Sequence, residues 1–154
     1  MNHILFFGLG FSARALARRL AERGWAVSAT SRSASGAEAI EARGYRGLVF
    51  DGSAPLPQQA FDGVTHVVNS APPGDDGDPV LRQNAADFAA RARQFQWVAY
   101  LSTTGVYGDH GGGLVTTLDG WLGDSNTTYV DPFPLLGSLK TSTLISIGVA
   151  GAFA

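Results

Sequence analysis

Short apolar runs alternate with amphipathic segments along most of the chain. The apolar runs have the composition of strands buried on both faces of a sheet, and they cover residues 4–7, 25–30, 47–50, 64–69 and 97–101. Between them, apolar residues recur at helical spacing over 13–24, 36–43 and 78–95. Strands joined through helices rather than hairpins predict a doubly wound α/β fold, with five parallel strands covered on both faces.

Local signals mark where the helices begin and end. Gly24 and Gly44 follow the first two helical segments and are typical of helix C-termini. Asp78 is a favourable N-cap for the third, with Pro79 at the first helical position. The predicted apolar face of this third helix consists of Leu81, Ala85, Phe88, Ala92 and Phe95.

The turn after the first strand has a G-x-G-x-x-A pattern, Gly8-Leu9-Gly10-Phe11-Ser12-Ala13. Such a pattern binds a dinucleotide because Gly8 allows a sharp turn, Gly10 lets a pyrophosphate approach the backbone, and a small Ala13 lets the helix pack closely. The amides of the helix N-terminus then hold the phosphate charge. The alternative is a tight turn without a ligand. The position of the glycine pattern, between the first strand and a well-formed helix, favours dinucleotide binding.

The end of the second strand reads Thr30-Ser31-Arg32-Ser33 and contains no acid. NAD is normally held through its ribose hydroxyls by an acid about 20 residues beyond the glycine turn, whereas an arginine there suits the 2′-phosphate of NADP. Arg32 therefore favours NADP(H) over NAD(H). The alternative interpretation, a solvated loop arginine, has equal weight.

Asp51 and Gly52 follow the third strand. A carboxylate at this strand end can accept a hydrogen bond from an adenine amine, which makes Asp51 a candidate cofactor contact. An Asp-Gly pair is also common in turns for purely local reasons.

Composition excludes several kinds of protein. The chain has 154 residues and no cysteine, so it has no disulfide framework, thiolate metal site or cysteine nucleophile. A net charge of −2 argues against nucleic-acid binding, and no apolar run is long enough for a membrane span. The three histidines lack metal-site spacing, and we expect packed, neutral rings for His3 and His66. We therefore expect no metal, no membrane partner and a cytoplasmic location.

The fifth strand leads into Tyr100-Leu101-Ser102-Thr103-Thr104-Gly105-Val106-Tyr107-Gly108-Asp109. With the glycine turn and Arg32, this string resembles the extended, epimerase/dehydratase side of the short-chain dehydrogenase/reductase superfamily, in an atypical bacterial branch. The resemblance covers residues 3 to about 113. It implies a Rossmann-type sheet in an NAD(P)-binding domain over residues 1–113.

The resemblance also implies roles for individual residues. An enzyme of this kind would be an NADP(H)-binding oxidoreductase acting on a hydroxyl or carbonyl of a small molecule such as a sugar nucleotide. Thr103 would hydrogen-bond the substrate oxygen. The implied cofactor contacts are Gly8, Gly10, Phe11 and Ser12 for the pyrophosphate, Asp51 and Gly52 for the adenine, and Ser70 and Ala71 for the ribose.

The chain departs from the family at its main catalytic element, a Tyr-x-x-x-Lys pair in which the lysine lowers the pKa of the phenol. Tyr129 lies about as far beyond Tyr107 as the family's tyrosine would. The residue four positions later is Phe133 rather than a lysine, and Pro134 follows it, so a helix here is implausible. Tyr129 is therefore a weak catalytic candidate. Two alternatives stay open: a non-catalytic module that senses dinucleotides, and an inactive fragment of a longer reductase.

The charge pattern changes near residue 113. Ten Arg, ten acids and no Lys precede this point, whereas residues 114–154 contain three Asp and the single Lys140. This change, and the end of the resemblance, predict that residues 114–154 are an atypical tail, a frameshifted or truncated continuation. The sheet would then be incomplete at its C-terminus, with the edge of its fifth strand uncovered. No oligomeric state is predicted.

Overall fold

The computed structural model describes residues 1–74, 76–101 and 144–146. In this part of the chain all the predicted strands and helices are present. The strands are β1 (His3–Phe7), β2 (Ala26–Ser31), β3 (Arg46–Val49), β4 (His66–Asn69), β5 (Trp97–Tyr100) and β6 (Leu144–Ser146). The helices are α1 (Phe11–Ala21), α2 (Ala34–Glu41) and α3 (Pro79–Ala90), and a short 3₁₀ helix spans Gln58–Phe61.

The strands form one parallel sheet in the order β3-β2-β1-β4-β5-β6. The central strand β1 pairs with β2 on one side, where Ile4 lies opposite Val27, and with β4 on the other, where Phe6 lies opposite Val68. The chain therefore runs outward from β1 to β3 and then returns to the other side of β1. This reversal creates a crevice at the carboxyl ends of β1 and β4, the usual ligand position in such sheets.

The sixth strand is a difference from the sequence-based expectation. Leu144–Ser146 pairs with β5 in parallel, with Val98 opposite Leu144, so in the described sheet β5 has a neighbour on each side. The sequence does not predict this strand, because Leu144 and Ile145 stand in a Ser/Thr-rich stretch without a clear period. The rest of the predicted tail, and its boundary at residue 113, lie outside the described residues.

The two faces of the sheet are packed differently. On the α3 face, Phe7 meets Phe50 and Phe88 edge to face, with ring centroids 5.3 and 5.9 Å apart. On the opposite face the buried residues include four alanines, of which Ala13 and Ala17 belong to α1 and pack against the sheet. Burying one large apolar side chain contributes about 1.5–3 kcal/mol. The aromatic layer therefore anchors the central strand, while the alanines bring α1 close to it.

Two details of the helices differ from the prediction. Helix α2 begins at Ala34, two residues before the predicted start, because the Ser33 hydroxyl caps it by accepting from the Gly36 amide at 3.2 Å. On α3, Asn84 is fully buried, although the predicted apolar face of this helix does not include it. Its Oδ1 accepts from the Leu56 amide at 2.9 Å, and its Nδ2 donates to the Val80 carbonyl at 3.0 Å. A polar side chain is thus buried with its hydrogen bonds satisfied.

The remaining positions of the predicted α3 face are partly correct. Leu81, Phe88 and Phe95 are buried, whereas Ala85 and Ala92 are half-buried. The helix ends at Ala90, so Ala92 and Phe95 belong to the turn that follows it.

Candidate functional site

The glycine turn leaves β1 in a conformation that only glycine adopts readily. Gly8 has φ of +82°, a left-handed value that costs other residues roughly 1–2 kcal/mol. Its amide donates to the buried hydroxyl of Thr30 at 2.9 Å, which ties the turn to the end of β2. A Cβ at this position would also lie 3.1 Å from the Ser70 hydroxyl oxygen. Geometry and close packing thus both require the predicted glycine.

Ser70 joins the ends of β1 and β4 across the crevice. Its hydroxyl lies 2.9 Å from the Gly8 carbonyl and 3.1 Å from the Phe7 carbonyl, and donates to this pair. Its amide donates to the same Phe7 carbonyl at 2.9 Å. The next residue, Ala71, is half-buried and donates its amide to Asn69 Oδ1 at 3.0 Å. The predicted residues Gly8, Ser70 and Ala71 therefore come together at the switch point.

The N-terminus of α1 has no side-chain cap. Gly10 is the N-cap residue, no acid lies in the first turn, and nothing lies within 4 Å of the place where a Cβ on Gly10 would be. The first residue of the helix, Phe11, is 85% exposed, and Ser12 beside it is half-buried. Helix amides without partners form a partial positive charge. This end of α1 therefore presents hydrogen-bond donors to open space.

The ends of β2 and β3 are held side by side, since the Phe50 amide donates to the Ser31 carbonyl at 2.8 Å. Arg32 and Asp51 follow these two residues, so the structure places both predicted contacts on neighbouring strand ends. Arg32 is exposed and, within the described residues, forms no hydrogen bond or ion pair. Its neighbour Ser33 is engaged in capping α2 and is not a free hydroxyl.

Asp51 is an exposed carboxylate with one oxygen already occupied. Its Oδ1 accepts from the Ser53 hydroxyl at 2.6 Å and from the Ser53 amide at 2.9 Å. These hydrogen bonds, the hydroxyl first, lower the pKa of Asp51 below its ordinary value. The carboxylate is therefore ionised at neutral pH, with Oδ2 left to accept from a ligand amine.

Gly52, by contrast, is buried against α3. Its carbonyl accepts from Gln83 Nε2 at 3.0 Å, which anchors the loop after β3 to that helix. Gly52 thus supports the position of Asp51 and offers no side chain of its own.

An interaction that the sequence did not predict fixes the segment after β4. Asn69 is buried, and its Nδ2 donates to Asp78 Oδ2 at 2.6 Å. Asp78 is confirmed as the N-cap of α3, because its Oδ1 accepts from the amides of Val80 and Leu81. One carboxylate thus caps the helix and is held by the strand. The sequence signal for this interaction is an asparagine at the end of a strand, followed nine residues later by the aspartate that caps the next helix.

The amino edge of the sheet holds His3 and His66. His3 Nε2 lies 2.7 Å from the hydroxyl of the buried Ser28, and His66 Nδ1 lies 2.8 Å from the Thr65 hydroxyl. Burial lowers the pKa of both imidazoles, and for His3 the nearby Arg46 charge lowers it further. Both rings are therefore neutral at physiological pH, in keeping with the sequence-based expectation.

Thr103 and Tyr129, the two catalytic candidates, lie outside the described residues. In the described part of the chain, no three His, Asp or Glu side chains gather as a metal site would require. Among its helices, none is long and apolar enough to cross a membrane.

Many solved structures are similar to this chain, and three of them show the degree of likeness. A functionally unknown conserved protein from Silicibacter pomeroyi DSS is 48% identical, with a TM-score of 0.62 over 71% of this chain and 38% of that one. A candidate NAD-dependent epimerase/dehydratase from Bacillus halodurans is 20% identical, with a TM-score of 0.54 over 79% and 60%. A reductase engineered to attenuate substrate inhibition in asymmetric catalysis is 16% identical, with a TM-score of 0.52 over 70% and 38%.

No protein-family model and no curated protein matches the chain. The chain spans well under half the length of the first and third of these structures, 38% of each. The comparisons therefore concern the fold. The described part of the chain has a Rossmann-like α/β fold, which the sequence predicts.

Proposed function

We propose that this chain binds a nicotinamide dinucleotide at the carboxyl edge of its sheet, as the cofactor-binding part of an epimerase/dehydratase-like oxidoreductase. The observation that carries the proposal is the left-handed turn at Gly8, which leads into the uncapped N-terminus of α1 beside the switch point. Donors without partners at such a place suit a pyrophosphate. The open space in front of Gly10 leaves room for it.

The surrounding residues fit the other parts of the cofactor. Asp51 would accept from the adenine amine through Oδ2, and Arg32 would pair with a 2′-phosphate, which makes NADP(H) the preferred form. Ser70 and Ala71 would border the ribose next to the nicotinamide. When bound, the nicotinamide supplies hydride transfer, and the chain's own residues supply binding and orientation.

The proposed substrate is a small molecule with a hydroxyl or carbonyl group, such as a sugar nucleotide, held by Thr103. The similarity in fold to the Bacillus halodurans protein supports this reaction class. The substrate proposal otherwise rests on the resemblance of the string that contains Thr103 and Tyr107 to the family's strand end.

Titration of the purified 154-residue chain with NADPH and NADH, followed by cofactor fluorescence, tests the proposal. We expect NADPH to bind at least about tenfold more tightly, since a charge-assisted phosphate contact contributes about 1.5–3 kcal/mol. Arg32→Ala should remove most of this preference, whereas Arg93→Ala, an exposed arginine after α3, should not. Equal affinities would refute the choice of NADP(H), and no binding of either cofactor would refute the proposed function.

A second candidate function is a dinucleotide-sensing module without turnover. The absence of a Tyr-x-x-x-Lys pair from the sequence favours it, because a tyrosine without a nearby lysine keeps a phenol pKa of about 10 and transfers protons poorly at neutral pH. NADPH consumption with carbonyl substrates distinguishes the two functions. Tight cofactor binding without consumption supports the sensing module, and rapid consumption excludes it.

A further inference from the structure

The outer side of β3, which faces away from β2, presents backbone groups without partners. In the described sheet β3 pairs only with β2, and the Phe50 amide points toward β2, because it donates to the Ser31 carbonyl. The backbone groups of successive strand residues point in alternate directions, so those of Gly47 and Val49 point outward. No described residue forms a hydrogen bond with them. The outer side of β3 therefore has two donors and two acceptors open.

The side chains of β3 do little to keep another strand away. Natural sheets protect exposed edge strands with lysine, proline, bulges or obstructing charges. β3 contains no lysine or proline, and its one charged residue, Arg46, donates from both Nη1 and Nη2 to the Gln59 carbonyl at 3.2 Å. Val49 is 51% exposed, although a β-branched residue suits a paired strand. The outer side of β3 is thus open to pairing and has an apolar side chain to bury.

The two faces of β3 are occupied differently. Leu48 packs against the aromatic layer, whereas Gly47 faces α2, since a Cβ there would overlap the Ala37 carbonyl. Side chains alternate between the two faces of a strand, so Val49 lies on the α2 face with Gly47. A strand that pairs with β3 therefore has room for a side chain opposite Gly47.

We infer that β3 pairs in antiparallel with β3 of a second copy of this chain, around a two-fold axis at Leu48. In this register Gly47 of each copy lies opposite Val49 of the other, and symmetry makes the two pairs identical. Each pair exchanges two hydrogen bonds, so the four open groups of each strand are all satisfied. Each exposed Val49 gains a neighbour that has no side chain, and the two sheets become one.

The charges at the two ends of β3 favour a second copy over an unrelated strand. Arg43 and Arg46 stand before and at the start of β3, and the exposed carboxylate of Asp51 follows its end. Antiparallel pairing puts the start of one strand against the end of the other. Arg46 of each copy therefore lies beside the residues that lead into Asp51 of the other, so two basic ends meet two acidic ends. The inference does not depend on the proposed function, because this pairing needs no bound dinucleotide.

Light scattering of the full chain after size exclusion, over a series of concentrations, tests the pairing. We expect a mass of twice 16.1 kDa that falls toward 16.1 kDa on dilution, and a weaker dimer at high salt. Val49→Lys should raise the dissociation constant at least about tenfold, a loss of roughly 1.4 kcal/mol, because it adds two charges to the interface. The control Ala89→Lys adds the same charge at an exposed position of α3 and should leave the dimer intact.

A single introduced cysteine tests the register. The chain has no cysteine of its own. Opposite residues of an antiparallel pair have Cα atoms roughly 4.5–5.5 Å apart, which is within the span of a disulfide. Leu48→Cys should therefore form a covalent dimer on mild oxidation, whereas Ala89→Cys should stay monomeric on a non-reducing denaturing gel.

Three results would overturn the inference. The first is a mass of 16.1 kDa at every concentration. The second is a dimer that Val49→Lys leaves unchanged and Leu48→Cys does not crosslink, because its interface then lies elsewhere. The third is aggregation without a fixed size, since a two-fold contact closes on two copies. If Leu48→Cys does not fold, Val49→Lys decides alone, because Val49 is exposed and tolerates a polar side chain.

Discussion

The two edges of the sheet differ in how their polar groups are satisfied. At the amino edge, His3 pairs with Ser28 and Thr65 with His66, and the His66 ring packs 4.6 Å from that of Trp25. At the carboxyl edge, the N-terminus of α1 has no side-chain cap, and Arg32 has no partner within the described residues. The edge whose donors are left open is the one available to an anionic ligand.

Of the variants considered, replacement of Asn69 at the carboxyl edge should have the largest effect on stability and NADPH binding together. Asn69→Leu removes the partner of Asp78 Oδ2 and of the Ala71 amide, and a buried polar group left unsatisfied costs about 1–3 kcal/mol. We expect lower stability in urea denaturation and weaker NADPH binding, because the segment after β4 is no longer fixed.

The matched variant at the amino edge is Thr65→Val, which removes the hydroxyl that His3 and His66 contact. It should lower stability without altering affinity, and a loss of affinity there would contradict the contrast.

Two glycines with nearly the same backbone conformation allow a sharper comparison. Gly8 at the carboxyl edge has φ of +82° and Gly24 at the amino edge has φ of +79°. Alanine at either position costs about 1–2 kcal/mol of stability. Only at Gly8 would the new Cβ meet a neighbour, the Ser70 hydroxyl at 3.1 Å, since nothing lies within 4 Å at Gly24.

Gly8→Ala should therefore weaken NADPH binding at least about tenfold through displacement of the turn, a loss of roughly 1.4 kcal/mol, and Gly24→Ala should leave binding unchanged. Thermal unfolding and fluorescence titration of both variants check this. Wild-type affinity in Gly8→Ala would mean that the turn does not contact the ligand.

The smallest effect is a pH dependence of stability that originates at the amino edge. The pKa values of His3 and His66 are lowered in the folded state, so the unfolded chain takes up protons first as the pH falls through about 6.5. Their stabilising contribution is present above this pH and is lost below it, down to the lowered folded-state pKa. The slope should not exceed about 1.4 kcal/mol per pH unit for each histidine.

Urea midpoints measured between pH 5 and 7.5 should show this decline, and His3→Gln should flatten it. The same variant should bind NADPH at pH 7.5 as the wild type does, because His3 begins β1 and so lies at the opposite end of that strand from the glycine turn. An unaltered pH profile in both His3→Gln and His66→Gln would assign the acid sensitivity to other groups.

The sequence predicts features that depend on neighbours along the chain. The apolar runs of β1 to β5, the turn at Gly8 and the Asp78 cap are local patterns, and the structure confirms them. Features that depend on contacts between distant segments are not predicted. The Thr30 hydroxyl accepts a hydrogen bond from the Gly8 amide, 22 residues earlier in the chain. The role of Asn69 becomes clear only from its hydrogen bond to Asp78.

The central position of β1 has a consequence for synthesis of the chain. Its first partner, β2, follows soon after, with His3 opposite Ala26, but its second partner is β4, with Ile4 opposite His66. At about 5–20 residues per second, the ribosome needs roughly 3–12 s after completing β1 to deliver β4. During this time one edge of a strand with four buried apolar residues has no partner, and such an edge readily pairs with another chain. A translational pause before residue 66 therefore exposes the buried apolar residues of β1 while the chain is still tethered to the ribosome.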